Sequence, residues 1–397
     1  MNRRAFLASA LAAGPLVRAG HARLRAWGTA PESSERTLVL LQLSGGNDGL
    51  SLLVPYTDDA YYRARSSTAI SSGASLRLDE RRALHPELGR LREHFEQGEV
   101  AFVEGVGYPE PNRSHFASLD IWHTANLQGR SSGEGWVGRL MAELYRKDAD
   151  PNHVVHVGTS LPYSLRSTDH PPTCFANPAS YRWVKNEQAL GEYDTDAGEG
   201  TSSLDFVRAV MRDAHLSSRA MRTAAATYRA RAEYPDREPL AEALHTAAAM
   251  IHGGLGTRVI SVELGGFDTH VDQRASHTNL MGRLDRSLSA FLRDLQGTSA
   301  GRNTIVAAFS EFGRRVAENG SGGTDHGTAG VLMVAGESVK GGFYGKSPSL
   351  TKLDELGDLR FTTDFRSVYA TAIERWMGCA SKPVLGERFE PLDFIPG

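Results

Sequence analysis

The chain has 397 residues, 40% hydrophobic and 23% charged, with a net charge of −3. That is enough for one large α/β domain or two medium ones with a full hydrophobic core, and the weak negative charge offers no footprint for nucleic acid. Cys174 and Cys379 are the only cysteines, which excludes a disulfide framework and a cysteine-rich metal site and leaves one bridge open.

The opening "MNRRAFLASALAAGPLV" pairs Arg3 with Arg4 ahead of a short alanine-rich apolar run. The run falls short of the roughly 20 residues a membrane span needs. Its form is similar to a twin-arginine (Tat) export signal, with a basic amphipathic N-terminus that stays attached as the alternative. Residues 1–35 are therefore read as signal and linker, the Tat translocase as a transient partner, and the destination as periplasmic or extracellular. No other segment is long and apolar enough to cross a membrane.

From residue 36 on, β-rich runs alternate with helical spacing. Strands are expected at 37–43, 100–106, 153–158, 258–264, 304–309 and 331–336. Helices are expected at 86–98, over a long stretch at 204–231, at 238–256, at 281–295 and at 363–378, the last capped by Thr363. "HFASLDIWHTA" (115–125) also has a helical pattern. The alternation predicts one α/β domain over 36–397, a mostly parallel sheet with helices on both faces, and a helical insertion near 200–256. The acidic stretch 186–203 reads as a surface loop.

In such a sheet ligands bind outside the carboxyl ends of the strands. "SGGNDG" with Asp48 follows the first strand, "GGFDTH" with Asp268 and His270 the fourth, and "SEFGRR" with Ser310, Glu311, Arg314 and Arg315 the fifth. "NGSGGTDHGTAG" carries Asp325 and His326 into the sixth. Asp-Gly between apolar runs is by itself a hairpin signal, and Thr-Asp a helix cap. Their joint recurrence at strand ends favours a site. Carboxylate and imidazole donors without cysteine suit zinc, manganese or iron(II). Asp268 and His270, two apart, share a face in extended chain. Of the adjacent pair, His326 is the ligand and Asp325 its neighbour.

Ser114, ahead of the pattern at 115–125, is either a helix N-cap or a nucleophile placed where N–H groups favour an anion. His115 beside it is a candidate acid–base, and Arg314 or Arg113 a candidate clamp for an anionic group. No Gly-x-Ser-x-Gly elbow, Gly-x-Gly-x-x-Gly or Walker motif occurs, which argues against an ordinary serine esterase and a nucleotide-binding domain.

Together, "LVLLQLSGGNDGLSLLVPY", "GVGYPEPNRSHFASLDIWHTA", "GWVGRLM", "LGGFDTHVDQ", "SEFGRRVAENGSGGTDHG" and "VKGGFYG" resemble the Tat-exported bacterial proteins of the domain-of-unknown-function 1501 family. That family is similar to a remote branch of the alkaline phosphatase and sulfatase superfamily. The resemblance implies a three-layer α/β/α sandwich with one or two divalent metal ions beside a nucleophile. It places Asp48, Asp268, His270, Glu311, His326 and, as a substitute, Asp325 at metal positions, and Ser114 at the nucleophile. Phe312 follows Glu311 where the superfamily has a histidine ligand, so His115 or Asp325 stands in. The expected function is metal-dependent hydrolysis of a small phosphate or sulfate ester. The alternative is a non-catalytic exported binding or assembly protein that keeps the metal site and works with a co-encoded exported partner.

Overall fold

The computed structural model describes residues 36–129, 133–146, 148–181 and 203–396. The expected signal and all but Ser203 of the acidic stretch lie outside them. The first half of the chain comprises β1 (Thr37–Ser44), α1 (Gly49–Leu52), β2 (Leu53–Val54), α2 (Asp59–Ala64), β3 (Leu76–Arg77), β4 (Ala83–Leu84), α3 (Gly89–Glu96), β5 (Val100–Gly107), α4 (His115–Thr124), α5 (Trp136–Tyr145), β6 (Val154–Val157) and β7 (Thr173–Phe175). Then follow α6 (Ser203–Thr227), α7 (Pro239–His252), β8 (Val259–Gly265), α8 (Gln273–Leu295), α9 (Ser299–Arg302), β9 (Thr304–Phe309), β10 (Gly330–Ala335), β11 (Gly342–Gly345), β12 (Thr363–Asp364), α10 (Phe365–Thr371) and α11 (Ser381–Leu385).

Nine strands form the main sheet in the order β11-β5-β10-β9-β1-β8-β6-β7, with β12 also beside β5. β1 lies parallel to both β8 and β9, whereas β10 runs antiparallel to β9 and β5. The direction of β10 decides the site. Loops leaving the ends of β1, β5, β8 and β9 open at one edge, and only a reversed β10 brings the loop before it to that same edge.

Alternation along β1 sends Leu38 and Leu40 to one face and Val39, Leu41 and Leu43 to the other. The first face packs on Trp122 of α4, Trp136 and Leu140 of α5, and Phe365 and Val368 of α10. The second packs on Leu91 of α3, Leu244 and Ala247 of α7, and Leu284, Leu288 and Phe291 of α8. Both faces are covered, which is why the strands read as continuous apolar runs. The architecture is α/β/α with a mostly parallel sheet, as expected.

The Asp-Gly at 48–49 makes no hairpin, in line with the preference for a site: Asp48 caps α1, its side chain accepting from the Leu50 N–H. Two expectations are corrected. α8 begins at Gln273 rather than near 281, because Gln273 and His277 on its buried face are polar and hide the helical stripe. The last helix divides into α10 and a π-helical turn, Ala372–Trp376, and Asp364 rather than Thr363 caps it. The one bridge left open is not formed: Cys174 and Cys379 are both free thiols. Among the described residues no helix is long and apolar enough to cross a membrane.

Candidate metal centre

The glycine pair after β1 is a matter of clearance. Gly45 and Gly46 have φ of +118° and +79°, and a Cβ on Gly45 would stand 2.4 Å from the Asp268 amide nitrogen. On Gly46 it would meet the Phe312 ring at 2.3 Å. The loops after β1 and β8 therefore touch backbone to backbone, and side chains of the loop after β9 lie directly on the Gly46 backbone, as only glycine permits.

Arg314 ties those loops together from below. It is 1% exposed. Its guanidinium donates to the carbonyls of Gly46 (2.8 Å), Thr324 (2.7 Å), Gly45 (2.5 Å) and Phe267 (3.0 Å), and to Asp268 Oδ1 (2.7 Å). The sequence nominated Arg314 to clamp a substrate anion. With its donors spent on backbone, it instead holds Asp268 in place.

Asp268 Oδ1 is the hub of the cluster. His326 Nε2 and His270 Nε2 each stand 3.0 Å from it, and His115 Nε2 stands 3.6 Å away. Ligand atoms of His115, Asp268 and His326 all lie within 4.8 Å of one another. Burial raises the Asp268 carboxyl, but the hydrogen bond from Arg314 and the charge of that guanidinium outweigh it and hold the group at about 2.

Each imidazole is oriented through its other nitrogen. His326 Nδ1 bonds the Arg113 carbonyl at 2.8 Å. A carbonyl only accepts, so Nδ1 carries the hydrogen and Nε2 keeps a lone pair. His115 Nδ1 faces Glu311 Oε1 at 2.8 Å, and His270 Nδ1 faces Asp325 Oδ1 at 3.0 Å. Burial raises the Glu311 carboxyl, but bonds from His115 and the Gly45 N–H bring it below its ordinary value. Asp325 is lowered by Asn319 and His270. Both are ionised acceptors, so His115 and His270 also turn lone pairs inward. The bond to Glu311 in turn raises the His115 pKa.

Three imidazole lone pairs and a carboxylate thus converge. His270 Nε2 and His326 Nε2 are 2.9 Å apart, a separation two lone pairs do not tolerate without a proton or cation between them. Imidazoles held through their distal N–H by carboxylate or carbonyl are the usual support of a metal ligand set. Ligand atoms about 2.0–2.2 Å from zinc stand roughly 3.4 Å from one another in a tetrahedron, a spacing this cluster brackets. The residues present fit a divalent cation.

Asp48 is brought to the same edge of the sheet but not into the cluster. Its oxygens accept from the Leu50 N–H, Ser51 Oγ, both terminal nitrogens of Arg65 (2.5 and 3.0 Å) and Gln273 Nε2 (2.6 Å). It is 1% exposed, and although burial opposes ionisation, Arg65 pulls its pKa far below the ordinary range. The sequence placed Asp48 at a metal; here it is half of a buried ion pair. Glu311 and Asp325 likewise hold histidines rather than face the centre. Phe312 packs at a tilt against His115 and His326, with ring centroids 4.9 and 4.7 Å away, and forms one wall of the cluster.

Ser114 is the N-cap residue of α4, one position before His115, and its side chain makes no capping bond. It is exposed. Arg65, Asn319 and the arginine–aspartate contacts around Asp358 are participants that sequence reading missed. Arg65 lies in "YYRARSS", 17 residues after its partner, where nothing marks it.

No curated protein matches the chain. Solved structures similar to it include a protein of the alkaline phosphatase superfamily from Vibrio parahaemolyticus, 9% identical, with 90% of this chain and 71% of that one covered at a TM-score of 0.41. The PsFucS1 sulfatase from Pseudoalteromonas sp. is 11% identical over 90% and 71% of the two chains, also at 0.41. The C-terminal periplasmic domain of EcEptC from Escherichia coli, in complex with Zn, is 11% identical over 77% and 74% at 0.33. A family model described as "Protein of unknown function (DUF1501)" matches residues 103–384, and the chain belongs to that family.

Proposed function

We propose that the protein is an exported, metal-dependent hydrolase of phosphate or sulfate esters, with Ser114 as nucleophile and Asp268, His115, His270 and His326 as the residues that would hold the cation. The observation that carries this reading is the convergence of three imidazole nitrogens on the half-exposed Asp268 carboxylate, each ring fixed from behind. A divalent cation bound there supplies Lewis-acid stabilisation of the ester oxygens and acidifies a nearby hydroxyl. Everything else is done by the chain.

Ser114 stands at the start of a ten-residue helix whose first N–H groups lack intrahelical partners. Those donors favour the anionic group of the substrate. Ser114 Oγ bonds to phosphorus or sulfur as the ester P–O or S–O bond breaks, its proton passing to solvent, while the departing alkoxide takes a proton from solvent and leaves as the alcohol. Water then hydrolyses the seryl ester. Phe312 keeps one wall of the cluster dry, and Arg314 fixes the Asp268 oxygen on which the cluster is centred. Arg3 and Arg4 support export.

The test is turnover of an aryl phosphate and an aryl sulfate by the zinc- or manganese-loaded chain. Ser114→Ala is expected to lose at least a thousandfold in kcat with its metal content unchanged. Undiminished turnover in that variant would reject the mechanism. Bound metal without turnover in the wild type would favour the non-catalytic exported binding protein.

A further inference from the structure

With Arg314 occupied by carbonyls, the substrate anion needs another cation, and the neighbouring position provides it. Arg315 extends from the same loop with its side chain 37% exposed. Its backbone N–H donates to the Asp325 carbonyl at 3.1 Å, next to His326. Its Nε stands 3.4 Å from Oδ1 of Asp358, a carboxylate with no exposed surface. That approach is an ion pair whose geometry makes no hydrogen bond, and neither atom has another partner. The two terminal nitrogens of Arg315 make no hydrogen bond among the described residues.

The other oxygen of Asp358 is already taken. Arg113 Nε donates to Oδ2 at 2.6 Å, and Arg113 Nη2 donates to that same Oδ2 and, at 3.4 Å, to Asp354. The Arg113 carbonyl is the group that orients His326. One buried carboxylate thus stands between two guanidiniums, each on backbone bonded directly to the histidine cluster or its neighbour. Asp358 draws in the Nε end of Arg315 and leaves the planar pair of N–H₂ groups outward. Such a fork matches two oxygens of a tetrahedral oxyanion.

We propose that Arg315 is the specificity-determining residue that binds the anionic group of the substrate, with Asp358 as its positioning residue. The inference rests on the ester-hydrolase reading and deepens it: the ligand is a tetrahedral oxyanion, and the second arginine, rather than the first, receives it. A charge-assisted bond of this kind is worth about tenfold or more in affinity.

The experiment is calorimetric titration of the zinc-loaded chain with inorganic phosphate and, separately, inorganic sulfate, using the wild type, Arg315→Gln and Arg315→Lys. Metal content is measured on each sample. Arg315→Gln is expected to bind the preferred anion at least tenfold more weakly with its metal retained, and to raise KM for an ester far more than it lowers kcat. Arg315→Lys is expected to recover part of the loss, which a purely structural role would not predict. Wild-type affinity in a folded, metal-retaining Arg315→Gln overturns the assignment and leaves the hydrolase reading standing. Loss of oxyanion affinity in the variant, with no ester turnover by the wild type, supports the assignment and rejects the hydrolase.

Discussion

Asp48 and Asp268 are both acidic residues in glycine-rich loops at one edge of the sheet, yet their surroundings give them opposite work. Asp48 is enclosed by Arg65, Ser51 and Gln273, whereas Asp268 is half-exposed and ringed by imidazoles. Removing one partner of a buried pair leaves an uncompensated charge, at a cost of about 3–5 kcal/mol. Asp48→Asn is therefore expected to lower the stability measured by urea unfolding by that amount while leaving the metal content of the folded protein unchanged. Loss of metal with unchanged stability would restore Asp48 as a ligand. Sequence could show that carboxylates gather at strand ends. It could not show which of them meets a cation of the chain first, because Arg65 and Arg314 choose their partners through the tertiary fold.

Element geometry explains why loops so far apart in sequence meet. The backbones after β1 and β8 touch where Gly45 faces Asp268, and a side chain there needs both a rare φ and absent space. Gly45→Ala is expected to separate the two loops and weaken zinc affinity at least tenfold, read by competition with a chelator. Unchanged affinity would mean that the loops are not held in register by this contact. The six strands and most helices that position the site were legible because their apolar periodicity is strong. The direction of β10 was not, since nothing in "VLMVAG" distinguishes parallel from antiparallel pairing. The first two turns of α8 were obscured for a different reason: Gln273 and His277 put polar groups on the buried face, where they bond Asp48 and Asn47.

At the scale of the whole molecule, that buried polar layer links stability to pH. Burial drives the His277 pKa down to about 4, and burial with the nearby His277 drives His85 to about 3. Unfolded, each binds a proton near pH 6.5. Between that pH and the folded values the unfolded chain holds more protons, so their contribution to stability falls as pH drops from about 6.5 to 4. His277→Gln keeps a donor for Asn47 and does not titrate. Its urea midpoint is expected to fall less than that of the wild type between pH 7 and pH 4.5, and an equal fall in both would exclude His277 as a source of the dependence. The central claim, that separate loops of one sheet edge assemble a cation site, is tested most directly by elemental analysis of the purified chain after exposure to zinc, manganese or iron(II) and dialysis. About one bound divalent ion per chain is expected in the wild type and in Ser114→Ala, with Asp268→Ala and His326→Ala, both folded, losing it. A wild type that retains no metal, or an Asp268→Ala variant that retains as much, would contradict it.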